Sequence, residues 1–301
     1  DDINKTGKTF PSYGLDIDQI CSALSSTGLI SEVRTENEFY SDEIPSLDLS
    51  DTKYLKSFVY SYLRMGIPIL LGLETEDEIV YDNLHMVALS GYRIEPLKTA
   101  HSSSLNIDLI SDQISRFYCH DDQTGPFSRL VCLDENKNWK FKSSVWSSSN
   151  SEEQENANPY CLIVPLMKKL NVVYEDILDE VLVIDHFIKK FFGGVIALSW
   201  DVFLCKSNDY KKEIKVELTT SSIDLLFDSL PQYIWVSKAY YTSGVDKVLI
   251  FDLIYDAIDV NYENSPFTAN IYDKTFEELL LSFDTEIDSE SNQAITLKDI
   301  L

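Results

Sequence analysis

No CxxC and no close pair of cysteines occurs in this sequence. Its five, Cys21, Cys119, Cys132, Cys161 and Cys205, are scattered over 301 residues. An odd count without metal-ligand spacing excludes a disulfide framework or a structural zinc site as the organising feature. Reduced thiols and a cytoplasmic location are the expectation. Basic residues are also scarce: 25 Lys and Arg stand against 50 Asp and Glu, a formal charge of −25. So negative a surface repels phosphate backbones and anionic lipid, which argues against nucleic acid and membrane as partners. No apolar run is long enough to cross a bilayer, and the start "DDINKTGKTF" has neither Met nor a signal-peptide pattern. The expectation is a chain that has lost an N-terminal piece.

What is present suits a soluble acidic protein of two domains. Hydrophobic residues make up 44% and aromatics 12%, enough for a large core and too much for wholesale disorder. "DIDQICSALSST" (16–27) reads as a helix, with Asp16 as N-cap and Gly28 as its stop. "LISEVRTE" reads as a strand. "DTKYLKSFVYSYLRMG" (51–66) reads as a second helix ended by Gly66. "IPILLGLE" (67–74) and "LHMVALSGYRIE" (84–95) are near-continuous apolar runs, as in strands covered on both faces. "RFYCHDD" (116–122) predicts a further strand ending in acids, and 128–144 a hairpin turned at "DENKN".

The Ser-, Asn- and Glu-rich stretch 143–159 cannot pack a core and reads as a linker. Beyond it the spacing predicts a strand over 160–166, a long helix over 171–192 and a strand ending at Cys205. A short helix at 221–231, a hairpin turned at "TSGVD" and a last helix at 274–283 follow. The class is α+β, with domains at 1–142 and 160–301.

His85 opens an apolar strand, so it reads either as a packed core residue or as half of an acid–base pair. The pair Asp121-Asp122 supplies possible partners. Were the strand to continue, the two acids would point to opposite faces, and only one could meet His85. The other acid would hold the turn through its own backbone. No metal is expected, because His120 and Asp121 diverge on a strand. Trp235 with Tyr240 and Tyr241 could form a binding face or ordinary sheet packing. His186, beside Asp185 in the long helix, reads as a buried or boundary residue.

"GIPILLGL", "HMVALSGY" and "HDDQTGPF" together resemble the core of papain-like cysteine peptidases of the C39-like kind, bacterial C39-like proteins among them. The resemblance is specific at those three segments and covers 51–130 best. It implies a papain-like fold followed by a smaller α+β region, and a hydrolase acting through a Cys-His-Asp triad. His85 would be the general base and Asp121 its orienting acid, with Gly125 at the family's usual distance. A peptide or protein would be the substrate, with no cofactor.

The family places its cysteine at a helix N-terminus, where the dipole lowers the thiol pKa, with a glutamine upstream for the oxyanion hole. Cys21 lies inside its helix with Gln19 only two residues before it, and Cys119 lies on a strand face with Asp121. Both remain candidates of lower rank. Either the nucleophile comes from a segment upstream of Asp1, or the chain is a non-catalytic interaction module that keeps the peptidase fold and binds a protein partner. Transglutaminase-like acyl transfer would use the same triad.

Overall fold

The structure, a computed structural model, describes residues 15–35, 49, 51–75, 84–95, 105–122, 125–135, 138–144, 156–192, 197–217, 226–243, 246–262, 266–273, 276 and 278. Within them are four α-helices and two sheets, an α+β protein. It divides into two compact units. The first holds residues 1–104 and 113–169, the second 105–112 and 170–301. Among the described residues, no helix is long and apolar enough to cross a membrane.

The first unit begins with helix α1 (Ile17–Ser26). A capping box starts it: Gln19 N–H donates to Asp16 Oδ1, and Asp16 N–H donates to Gln19 Oε1. Strand β1 (Leu29–Thr35) and helix α2 (Thr52–Leu63) follow. Asp51 caps α2 by accepting from the N–H groups of Lys53 and Tyr54. Tyr54, Leu55, Phe58, Val59 and Tyr62 make one apolar face, and Lys56, Ser57 and Ser61 on the other side are buried as well, so α2 is buried along nearly its whole length. Each fully buried side chain of this kind contributes about 1.5–3 kcal/mol. The chain leaves α2 through Gly66, whose φ of +82° lies in the left-handed region where a β-carbon is strained.

Strands β2 (Ile69–Thr75) and β3 (Leu84–Ile94) come next. In the second unit, β4 is a two-residue bridge (Asp108–Leu109) leading into a 3-10 turn at Ile110–Gln113. Back in the first unit run β5 (Ile114–Asp121), β6 (Gly125–Glu135), β7 (Asn138–Ser144) and β8 (Asn156–Met167). All pairings in the first sheet are antiparallel, in the order β1-β8-β2-β3-β5-β6-β7. Two residue pairs, Phe141–Ala157 and Lys142–Asn156, also join β7 to β8, so six of the seven strands close a ring. Ring closure removes exposed edges. Helix α2 lies on the face of β3 that carries Tyr92, whose ring meets Tyr60 edge-on at 5.0 Å.

The seam expected at 143–159 is therefore not where the units divide. Asn156–Pro159 already belong to β8, which runs between β1 and β2 in the first sheet. The first unit continues to Lys169 and lends residues 105–112 to the second. Residues 145–155 lie outside the described ones.

The second unit has helix α3 (Tyr174–Phe191), strand β9 (Leu198–Lys206), helix α4 (Ser207–Glu217) and strands β10 (Tyr233–Ser243), β11 (Asp246–Asp256) and β12 (Thr268–Ile271). Its sheet runs β12-β11-β10-β9-β4, parallel only between β4 and β9. One face meets α3: Trp200 Nε1–H donates to Asp185 Oδ1 at 2.9 Å, and Tyr174 packs on Trp235. The other carries a polar row across four strands, Asp201, Lys238, Asp252 and Asn270, in register. Helix α4 covers it, with Tyr210 Oη donating to Asp252 Oδ2 at 2.6 Å and Lys238 Nζ donating to Glu213 Oε1 at 2.8 Å. Burial raises the Asp252 carboxyl above its ordinary range, against the hydrogen bonds of Tyr210, Asn270 and Tyr272.

Candidate functional site

Strands β3 and β5 are antiparallel neighbours, so the start of one lies beside the end of the other. Ala88 pairs with His120 and Leu89 with Cys119. Alternation then puts His85, Val87 and Leu89 on one face together with Cys119 and Asp121. The turn into β6 pairs Asp121 with Gly125, whose φ of +95° suits glycine.

This register brings His85 Nε2 to 3.0 Å from Asp121 Oδ1. The His85 side chain is 22% exposed and that of Asp121 9%. Asp122 Oδ1 also comes within 3.6 Å of His85 Nε2, from a side chain 84% exposed. Here the expectation that only one acid can meet His85 is corrected. Strand β5 ends at Asp121 and Asp122 already belongs to the turn, so strict alternation no longer holds. Among the described residues nothing bonds to His85 Nδ1.

One nitrogen committed to a carboxylate and one left bare is what a general base needs. The carboxylate fixes the Nε2–H tautomer and stabilises the imidazolium formed when Nδ1 takes a proton. His85, Asp121 and Asp122 also offer donor atoms within 4.8 Å of one another, close enough for one cation. The metal-capable grouping is thus His85 with both acids. His120 turns to the opposite face and meets the Phe127 ring at 5.2 Å.

The cysteines are placed away from this pair. Cys119 shares the face but is buried, its Sγ 3.6 Å from the Ser128 carbonyl oxygen. Burial, with the Asp121 charge as the lesser cause, pushes its thiol up to about 12, the reverse of activation. Cys21 is the fifth residue of α1 and half-buried, and Gln19 is spent on the helix cap. Cys132 lies next to Val131, which pairs with Arg116, five residues or roughly 17 Å along β5 from Asp121. Cys161 is buried beside Gly72, and Cys205 is buried in the second unit.

Sequence reasoning missed a cleft on the face of β3 opposite to His85. A cleft of about 420 Å³ has Leu70, Met86 and Ala88 as its floor. His120, Pro126, Asp121 and Asp122 wall it. Phe127, beside it in sequence, is 65% exposed at φ +63°. The alternation Leu70–Gly72 and Met86–Ala88 could have shown the floor; nothing in "GPF" signals the conformation of Phe127.

The remaining candidates resolve as packing or surface. Trp235 is fully buried, its Nε1–H donating to the Val172 carbonyl oxygen at 2.9 Å. Tyr241 is partly exposed on β10. His186 is exposed, a correction to the buried reading, while Asp185 beside it is buried and bonded to Trp200 and Lys189. Compared with known proteins, the chain matches no family model, no curated protein and no solved structure.

Proposed function

We propose that the first unit is a papain-like, C39-like hydrolase domain that cleaves a peptide or amide bond, with His85 as general base and Asp121 as the residue that orients it. The observation carrying this reading is the 3.0 Å contact of His85 Nε2 with Asp121, with Nδ1 unpartnered among the described residues. A thiol presented to Nδ1 would lose its proton to the ring and attack the carbonyl carbon. The imidazolium would then protonate the leaving amine, and water would hydrolyse the thioester with His85 again as base. In this reading the thiol comes from polypeptide beyond the five cysteines of this sequence.

A second reading has an observation of its own. None of the four cysteines whose side chains are described bonds to His85. That favours a non-catalytic module that keeps the cleft and binds a protein partner. One experiment separates the two: full-length protein is treated with a peptidyl vinyl sulfone and the adduct mapped by mass spectrometry. The hydrolase reading expects a single modified thiol whose labelling is lost in His85→Ala. No adduct at any thiol, with the protein folded, overturns it in favour of the binding module.

A further inference from the structure

We propose that His85, Asp121 and Asp122 form a site for a borderline divalent cation, Zn2+ above all, held by one imidazole nitrogen and two carboxylate oxygens. The site stands on the geometry of the three side chains. Only its bearing on hydrolysis rests on the hydrolase reading.

The two acids converge on a single atom. His85 Nε2 lies 3.0 Å from Asp121 Oδ1 and 3.6 Å from Asp122 Oδ1, and one donor atom from each residue falls within 4.8 Å of the other two. One ring nitrogen carries at most one hydrogen. Asp121 takes it at 3.0 Å, whereas 3.6 Å is too long for a hydrogen bond. Asp122 is therefore held beside a like charge with no hydrogen of His85 to accept. A cation shared by all three relieves that repulsion. Zn2+ binds nitrogen and carboxylate oxygen at about 2.0–2.2 Å, so tetrahedral geometry separates neighbouring donors by about 3.3–3.6 Å. The observed 3.0 and 3.6 Å need only small shifts to reach it.

The donor set selects the cation. Two carboxylates and a neutral imidazole balance a divalent charge. The imidazole nitrogen suits first-row ions such as Zn2+, whereas Mg2+ and Ca2+ prefer shells made of oxygen alone. The site is fixed on one side and open on the other. His85 and Asp121 are half-buried on the neighbouring strands β3 and β5, while Asp122 is exposed. That leaves a fourth position to water, as in three-ligand zinc sites. Binding at Nε2 displaces its hydrogen, and the ring takes up a proton at Nδ1, where no described residue bonds. Under the hydrolase reading the cation is then an inhibitor, because Nδ1–H cannot accept the proton of a thiol.

The test is long-range 1H–15N correlation of the imidazoles in the full chain, which has four histidines, before and after zinc chloride is added to metal-free protein. Zn2+ should convert the His85 ring from Nε2–H to a metal-bound Nε2 with hydrogen on Nδ1. Reading the ring itself separates this site from zinc held by a thiol elsewhere. The same concentration of Mg2+ should leave the ring as it was. Residues that only orient a metal ligand are worth about 10–100-fold in affinity, so Asp122→Ala, which removes a ligand from an exposed position, should weaken zinc binding at His85 about a hundredfold. A His85 ring unmoved by Zn2+, moved equally by Mg2+, or loaded with zinc equally well in Asp122→Ala overturns the proposal. Labelling by the peptidyl vinyl sulfone in metal-free buffer is read separately. No thiol adduct beside zinc binding sinks the hydrolase reading alone, and an adduct beside a ring that ignores Zn2+ sinks the cation site alone.

Discussion

Cys119 is the cysteine that shares a strand face with Asp121, and alkylation kinetics show whether that position means activation. Burial and the Asp121 charge push its thiol from 9.0 to about 12. At pH 8 an ordinary thiol of pKa 9.0 is about one-tenth thiolate, whereas one at about 12 is about one part in ten thousand ionised. The reactive fraction is therefore about a thousandfold smaller, before any protection from its 1% exposure. Iodoacetamide at pH 8, with each cysteine followed by mass spectrometry, should modify Cys119 about a thousandfold more slowly than an ordinary thiol and more slowly than half-buried Cys21. Cys119 labelling at a rate comparable to Cys21, and slowing in His85→Ala, would refute the reasoning. Cys119 would then be a thiol activated by His85.

Two further outcomes follow from other parts of the structure. In α3 the carboxyls of Asp179 and Glu180 are raised, chiefly by burial and then by neighbouring carboxylates. Folded values above the unfolded ones mean a contribution present below about pH 4 and lost as pH rises through the folded values. Asp179→Asn with Glu180→Gln should raise the Tm at pH 7, by a degree or a few because both sites are partly exposed, and leave it unchanged at pH 3.5. A gain that persists at pH 3.5 would contradict the assignment. In β2, a β-carbon on Gly72 would lie 2.5 Å from Cys161 Sγ and 2.5 Å from Tyr160 Cε1. Gly72→Ala should cost about 1–3 kcal/mol in denaturant unfolding, and a neutral effect would show that β8 yields there.

How much of this was legible in the sequence depends on what each residue advertises. Strands β2 and β3 announce themselves as apolar runs, and α2 by apolar residues near helical spacing with Gly66 as the stop. His85 and Asp121 stand out because three short segments resemble one family. Asp122 escapes because its reach depends on β5 ending one residue before it. Helix α4 escapes for another reason. "SNDYKKEIKVE" shows no apolar stripe, since only Tyr210 and Ile214 are buried against the sheet. That sheet face is itself polar, and Lys238 and Asp252 in a strand read as surface although both are buried. Of the helix expected at 221–231, residues 226–231 are described and form no α-helix, while the one expected at 274–283 falls largely outside the described residues. The domain seam was misplaced because a polar stretch marks a surface segment, whereas only register shows that β8 returns to the first sheet.

The central claim is that Asp121 holds His85 by Nε2 and leaves Nδ1 bare to take a proton. Long-range 1H–15N correlation of the imidazoles in alkaline buffer reads this directly, because the two ring nitrogens differ in shift according to which carries hydrogen. The structure predicts a single Nε2–H tautomer for His85, lost to a mixture in Asp121→Ala and kept in Asp122→Ala. An Nδ1–H tautomer in the wild-type protein, or a spectrum unmoved by Asp121→Ala, would contradict the claim.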